Sequence, residues 1–123
     1  MPLLFDTNVL IEYLRGRQDA QDFLGAQDEE PQVSAGTVLE LYAGFKSRRD
    51  EQSGERLLSE AKILPVTHDI AKRAGILSRI YAASHGLDDI DAIIAATAEH
   101  HGLRLATLNV KHFPMFSKLK RAY

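Results

Sequence analysis

The chain has 123 residues, enough for one domain with a real core, and 45% of them are hydrophobic, as in an ordinary globular protein. It has no cysteine, which excludes disulfides and thiolate zinc sites. Its net charge of −2 argues against binding nucleic acid by bulk charge alone, though not against an enzyme that keeps acids in its site and a few bases around it. No apolar run approaches the roughly 20 residues that cross a membrane. The N-terminus enters strand-like sequence with no basic leader, so no secretion signal is expected and a cytoplasmic location is.

Leu3 to Phe5 reads as a buried strand, broken at once by Asp6-Thr7-Asn8 and followed by Val9, Leu10, Tyr13 and Leu14 at helical spacing. Thr7 or Asn8 can cap that helix, which ends near Gly16. Asp19 to Ala26 predicts a second short helix with Phe23 and Leu24 inward. Asp28-Glu29-Glu30-Pro31 is a polar connection, and Gln32-Val33-Ser34 is strand-like. Ser34 or Gly36 opens a helix with Val38, Leu41, Tyr42 and Phe45 on one side. Residues 46–54 read as a charged, solvated turn, and Glu55 to Lys62 as a helix with Leu57, Leu58 and Ala61 inward. Ile63 to Val66 predicts a strand that Pro65 confines to an edge or a strand end.

Thr67 or Asp69 caps a long helix that stops at His85-Gly86. Asp88 to His101 is another helix, closed by Gly102, and Leu103 to Thr107 a fourth strand. The remainder, with Pro114 in its middle, leaves room for a short edge strand at Lys118 to Arg121. Strands alternating with helices predict an α/β fold with a mainly parallel sheet and helices on both faces, in a single domain over residues 1–123.

Three acids stand out. Asp6 sits where a buried strand turns into a helix, a costly place for an unpaired charge and the edge of a parallel sheet where ligands bind. Thr7 and Asn8 are adequate caps beside it, so a cap does not need Asp6. Glu40 lies with Gly36, Thr37 and Gly44 on a small, open helix face, away from the apolar stripe. A plain solvent-facing Glu is the competing reading. Asp91 stands inside an apolar helix pattern with Ile94, Ala95 and Ala98, whereas Asp88 and Asp89 precede it as caps and dipole partners.

Asn109 and Thr107 follow the fourth strand, at the same sheet edge as Asp6, with a turn role as the alternative for Asn109. Clustered carboxylates with no Cys and no zinc-type His spacing (His68, His85, His100, His101, His112) favour Mg²⁺ or Mn²⁺ over zinc. A divalent metal so held suits phosphodiester hydrolysis. Arg15, Arg17, Lys46, Arg48, Lys111, Lys118, Lys120 and Arg121 are available to an RNA backbone.

Four blocks carry a resemblance. They are Leu4 to Ile11 (LFDTNVLI), Ser34 to Gly44 (SAGTVLELYAG), Asp91 to Ala98 (DAIIAATA) and Thr107 to Phe113 (TLNVKHF). In order and spacing they resemble PIN-domain proteins, most of all the VapC-type toxins of bacterial and archaeal toxin–antitoxin pairs. The resemblance covers essentially the whole chain. It implies a three-layer α/β/α sandwich and a Mg²⁺-dependent endoribonuclease, Mn²⁺ substituting, whose products carry a 5′-phosphate and a 3′-hydroxyl. It also implies a VapB-type antitoxin that blocks the site, and a homodimer, with toxin–antitoxin hetero-oligomers as a further form.

The family's acids fall on Asp6, Glu40 and Asp91, and its fourth position, Asp in many members, on Asn109. The catalytic set implied is therefore Asp6, Glu40, Asp91 and Asn109. Asp6, Asp91 and Glu40 hold the metal, and Thr7 and Thr107 form a supporting polar shell, with Ser34 or Thr37 as the family's further hydroxyl. Some members carry another acid where His112 stands. With three sure carboxylates, one tightly held metal is the expectation.

Two other readings compete. A phosphoaspartyl protein would use Asp6, but Asp6-Thr7-Asn8 lacks the second acid of the phosphatase motif. A catalytically inactive PIN-like module that binds RNA or antitoxin would have no reason to keep acids on apolar faces.

Overall fold

Leu3-Leu4-Phe5 is too short to hold a fold by its own pairing, so its weight comes from what it buries on each side. In the computed structural model, which describes residues 2–123, this strand is β1 (Leu3–Phe5). It is followed by α1 (Thr7–Leu14), α2 (Gln18–Gly25), β2 (Gln32–Ser34), α3 (Ala35–Gly44), α4 (Arg48–Ser59) and β3 (Lys62–Leu64). Then come α5 (His68–His85), α6 (Asp89–His101), β4 (Arg104–Ala106) and a 3-10 turn at Val110–His112. The strands lie in the order β3-β2-β1-β4, every pair parallel.

Successive side chains of a strand point to opposite faces, and the core follows that alternation. Leu4 packs with Leu64, Ile70, Leu77, Ile94, Leu105 and Phe113, on the side covered by α5 and α6. Its neighbour Phe5 packs with Val9, Leu10, Val33, Leu41, Leu57 and Ala106, on the side covered by α1 to α4. The register agrees, pairing Leu4 with Leu105 and Phe5 with Ala106. One sheet with two apolar faces, each roofed by helices, is a three-layer α/β/α sandwich.

Several expectations need correction. The charged stretch 46–54 is not a turn. Ser47 accepts a hydrogen bond from the Asp50 amide and caps α4, whose first half this stretch forms. A capped start with acids in the first turn outweighs the polar composition. The helix then stops at Ser59, and Lys62 already belongs to β3. Asp6, not Thr7 or Asn8, is the N-cap of α1. Of the predicted stripe on α3, only Leu41 is fully buried, and Tyr42 is exposed.

The small face of α3 is open at Gly44, where an added Cβ would meet nothing within 4 Å, but closed at Gly36. A Cβ on Gly36 would stand 3.3 Å from Ile93 Cγ2 and 3.5 Å from Ile90 Cγ2. What approaches the small residues is therefore α6. No strand forms at residues 118–121, and Lys118 has a positive φ of 62°. The segment still docks beside β4 through one backbone bond, from the Ala122 amide to the Thr107 carbonyl at 2.9 Å.

Candidate active site

Asp6 continues the β1–β4 ladder by one residue, its amide donating to the Ala106 carbonyl at 2.8 Å. The chain then turns into α1, which leaves the carboxylate at the carboxyl edge of the sheet and only 4% exposed. One oxygen accepts from the Thr7 amide at 2.8 Å, the other from the Thr107 hydroxyl at 2.7 Å. The same Thr107 hydroxyl accepts from the Asn109 amide at 3.0 Å. Thr107 thus fixes both the Asp6 carboxylate and the loop after β4.

Glu40 reaches the cluster from α3. Its carboxylate accepts from the Thr7 hydroxyl, which in turn lies 3.0 Å from the Thr37 hydroxyl. Each hydroxyl has one proton. With Thr7 donating to Glu40, Thr37 supplies the proton for the bond between the two threonines. Both are buried.

Asp91 arrives on the first turn of α6 and is 9% exposed. Asp88 caps this helix, accepting from the Asp91 amide at 2.8 Å, and the Asp91 carboxylate accepts in return from the Asp88 amide at 3.4 Å. This reciprocal capping box fixes the backbone of Asp91 and leaves its carboxylate weakly held. His112 Nδ1 stands 3.3 Å from the same carboxylate oxygen.

Asn109 is exposed at the mouth of the site, tied in through its backbone rather than its side chain. Asn8 accepts from the Leu108 amide at 3.3 Å and anchors the same loop.

The electrostatics express the crowding. Burial is the main force pushing the Asp6 carboxyl above its ordinary range. The charges of Glu40 and Asp88 add to it, while bonds from Thr107 and Thr7 oppose it. Asp91 is pushed up to about 6, first by burial, then by the charges of Asp88 and Asp6, against the Asp88 amide and His112. Removing two neighbouring carboxylates from water is unfavourable without a cation between them.

Among the described residues, no three His, Asp or Glu side chains converge as direct ligands of one ion. That still fits magnesium, which keeps several waters and binds through one or two carboxylates. Asp6 and Asp91 are the pair whose buried charges call for it. Glu40, already engaged by Thr7, is suited to act through a water.

Beside Glu40 runs a groove of roughly 620 Å³ between α1, α3 and α4. Ile11, Leu14, Leu41 and Phe45 line its floor, and Arg15, Lys46 and Arg49 stand along it.

The PIN domain family profile matches residues 3–119. The chain belongs to the PIN domain family. It is 42% identical over 121 residues to a protein named Ribonuclease VapC10 of Mycobacterium tuberculosis, covering 96% of this chain and 90% of the relative. It is 40% identical to Ribonuclease VapC19 of the same species, over 98% of both chains. Among solved structures, this PIN domain superposes on a toxin–antitoxin complex from Klebsiella pneumoniae with a TM-score of 0.83 and 35% identity, over 100% of this chain and 98% of the other. FitAcB from Neisseria gonorrhoeae gives a TM-score of 0.71 at 30% identity, over 90% of each.

Of the two hydroxyls left open by the resemblance, Thr37 is the one that meets Thr7, and Ser34 caps α3 instead. Two contributors to this candidate site had no role assigned there from the sequence. Asp88 acts on the site through its charge while serving as the cap it was expected to be. The position of His112 depends on the fold of the loop after β4, which no local pattern announces.

Proposed function

We propose that this chain is a metal-dependent endoribonuclease of the VapC type, the toxin of a VapBC-type toxin–antitoxin pair, with Mg²⁺ as its metal and Mn²⁺ as a substitute. The observation that carries this reading is the crowding of Asp6 and Asp91. They lie just after β1 and in the first turn of α6, 85 positions apart in the sequence; burial raises the pKa of both, and the Asp6 charge adds to the rise at Asp91. Relatives named as VapC ribonucleases support the reaction type, and neighbours solved as toxin–antitoxin complexes support the partner.

When bound, the metal supplies a water of lowered pKa and polarises a phosphoryl oxygen. Asp6 and Asp91 would hold it. Thr107 and the Thr7 amide keep the Asp6 carboxylate in one orientation, and Glu40, steered by the Thr7 hydroxyl, would orient a water for attack on the phosphate. Asn109, at the mouth, offers a neutral amide to the substrate or to a metal-bound water. The groove beside Glu40, apolar in its floor and edged by Arg15, Lys46 and Arg49 as well as Asp50, suits the antitoxin. Leu39 and Ile80, 60% and 55% exposed, are apolar side chains available to a homodimer. Among the described residues, no helix is long and apolar enough to cross a membrane.

The test is cleavage of total RNA by the purified chain in Mg²⁺, Mn²⁺ or EDTA. Cleavage is expected with either metal and is lost in EDTA. Asp6→Asn and Asp91→Asn should each abolish it while leaving the far-ultraviolet circular dichroism of a folded protein. Activity that survives EDTA, or wild-type rates in either variant, would overturn the reading.

A further inference from the structure

We propose that His112 is a positioning residue: its Nδ1 fixes the orientation of the Asp91 carboxylate and thereby strengthens divalent-cation binding at the site. The proposal rests on the metal reading above and adds to it a role for a residue that stands where some PIN proteins carry an acid.

The geometry makes the case in three steps. The Asp91 carboxylate is bonded on the protein side by a single long contact, the Asp88 amide at 3.4 Å. Nearby Asp88 and Asp6 are both acids that repel it. A buried carboxylate crowded by other acids is unfavourable unless a donor faces it. His112 Nδ1, at 3.3 Å from the same oxygen, is the group placed to donate. It donates as the neutral Nδ1–H tautomer, which adds no positive charge beside the cation. The distance is long for a finished hydrogen bond, as site contacts often are before ligand binding tightens them.

The ring is also held in place. The His112 amide donates to the Asn109 carbonyl at 3.1 Å, and the next residue, Phe113, is fully buried, its amide bonded to the Val110 carbonyl at 3.0 Å. On its other side the imidazole abuts the turn after α5. A Cβ added at Gly86 would stand 3.7 Å from His112 Nε2. The side chain is thus set between the Gly86 turn and Asp91, with 37% of its surface exposed. An acid at this position would add a fourth carboxylate to the cage. An imidazole instead braces one of the three already there, which fits a site built for one ion.

The experiment is a Mn²⁺ titration of the full chain, following the electron paramagnetic resonance signal of free Mn²⁺. His112→Ala and His112→Leu both remove the donor, the second while keeping side-chain bulk. His112→Asn keeps an N–H near the position of Nδ1. The two donor-less variants should bind Mn²⁺ about 10- to 100-fold more weakly, the usual cost of losing a group that orients a metal ligand. His112→Asn should bind close to wild type. The proposal is overturned if His112→Leu binds like wild type, or if His112→Asn is as weak as His112→Leu, since packing rather than donation would then be the cause. Saturable wild-type binding that disappears in Asp91→Asn keeps the metal reading intact even when the His112 proposal fails. Absence of saturable binding in the wild type overturns both.

Discussion

Asp91 carries two duties that pull against each other. As the third residue of α6 it completes a capping box, and its carboxylate lies in the field of Asp88 and Asp6. Its carboxyl titrates near 3.8 when unperturbed and at about 6 in the fold. Between these values the folded protein holds a proton that the unfolded chain has released, so the unfolding free energy falls as pH rises through that window. The stabilisation is fully present below about pH 4 and gone above about pH 6. In the metal-free protein, the stability difference between wild type and Asp91→Asn should therefore grow by on the order of 2 kcal/mol from pH 4 to pH 7, in favour of the variant. Urea unfolding in EDTA across that range checks it, and a flat difference would show that burial of Asp91 carries no such cost.

At this scale the site was partly legible. Asp6 and Asp91 are acids set inside apolar patterns, a conflict that sequence alone exposes. The Thr7–Glu40 bond and the place of His112 depend on how helices and a late loop meet, and side-chain spacing does not encode that.

The α3–α4 corner shows how one glycine sets the angle between two elements. Phe45, just past the end of α3, lays its ring on Gly54 of α4, where a Cβ would fall 2.2 Å from Phe45 Cζ. Gly54 is buried and in the middle of a helix. Propensity alone predicts that Gly54→Ala gains roughly 0.5–1 kcal/mol. The clash reverses the sign, because the ring must leave its seat, and overpacking of this kind costs about 1–3 kcal/mol. Thermal unfolding should show a lower midpoint for Gly54→Ala, and a higher one would mean the ring moves freely. Phe45 also lines the groove beside Glu40, so the variant should weaken whatever binds there.

Elements were read well where a cap and an apolar period agreed, as at Ser34, Thr67 and Asp88. They were misread where composition spoke louder than capping. Arg48 to Ser53 looks like a solvated break, yet Ser47 before it and Asp50 and Glu51 in the first turn are helix-starting chemistry. The ends of β1 and β2 were read as they stand, whereas β3 and β4 were carried one or two residues too far, because their apolar runs spill into the adjoining turns.

Across the whole molecule, the sheet order places β1 between a strand that follows it closely and one that comes near the end of the chain. Removal of residues 103–123 would strip β4, Thr107 and the buried Phe113 at once. Half the face of β1 would lose its neighbour, and the Asp6 carboxylate one of its two bonds. Such a fragment should give the circular dichroism of an unfolded or molten chain and bind no Mn²⁺ saturably. A cooperatively folded fragment would show that β4 is dispensable.

The hydrogen bond from Thr107 to Asp6 spans 101 positions. During synthesis, therefore, Asp6 stays unbraced on this side until the residues through Thr107 have followed it out. A nuclease built this way carries its own delay: no nascent piece that stops short of Thr107 can hold Asp6 by both of its bonds.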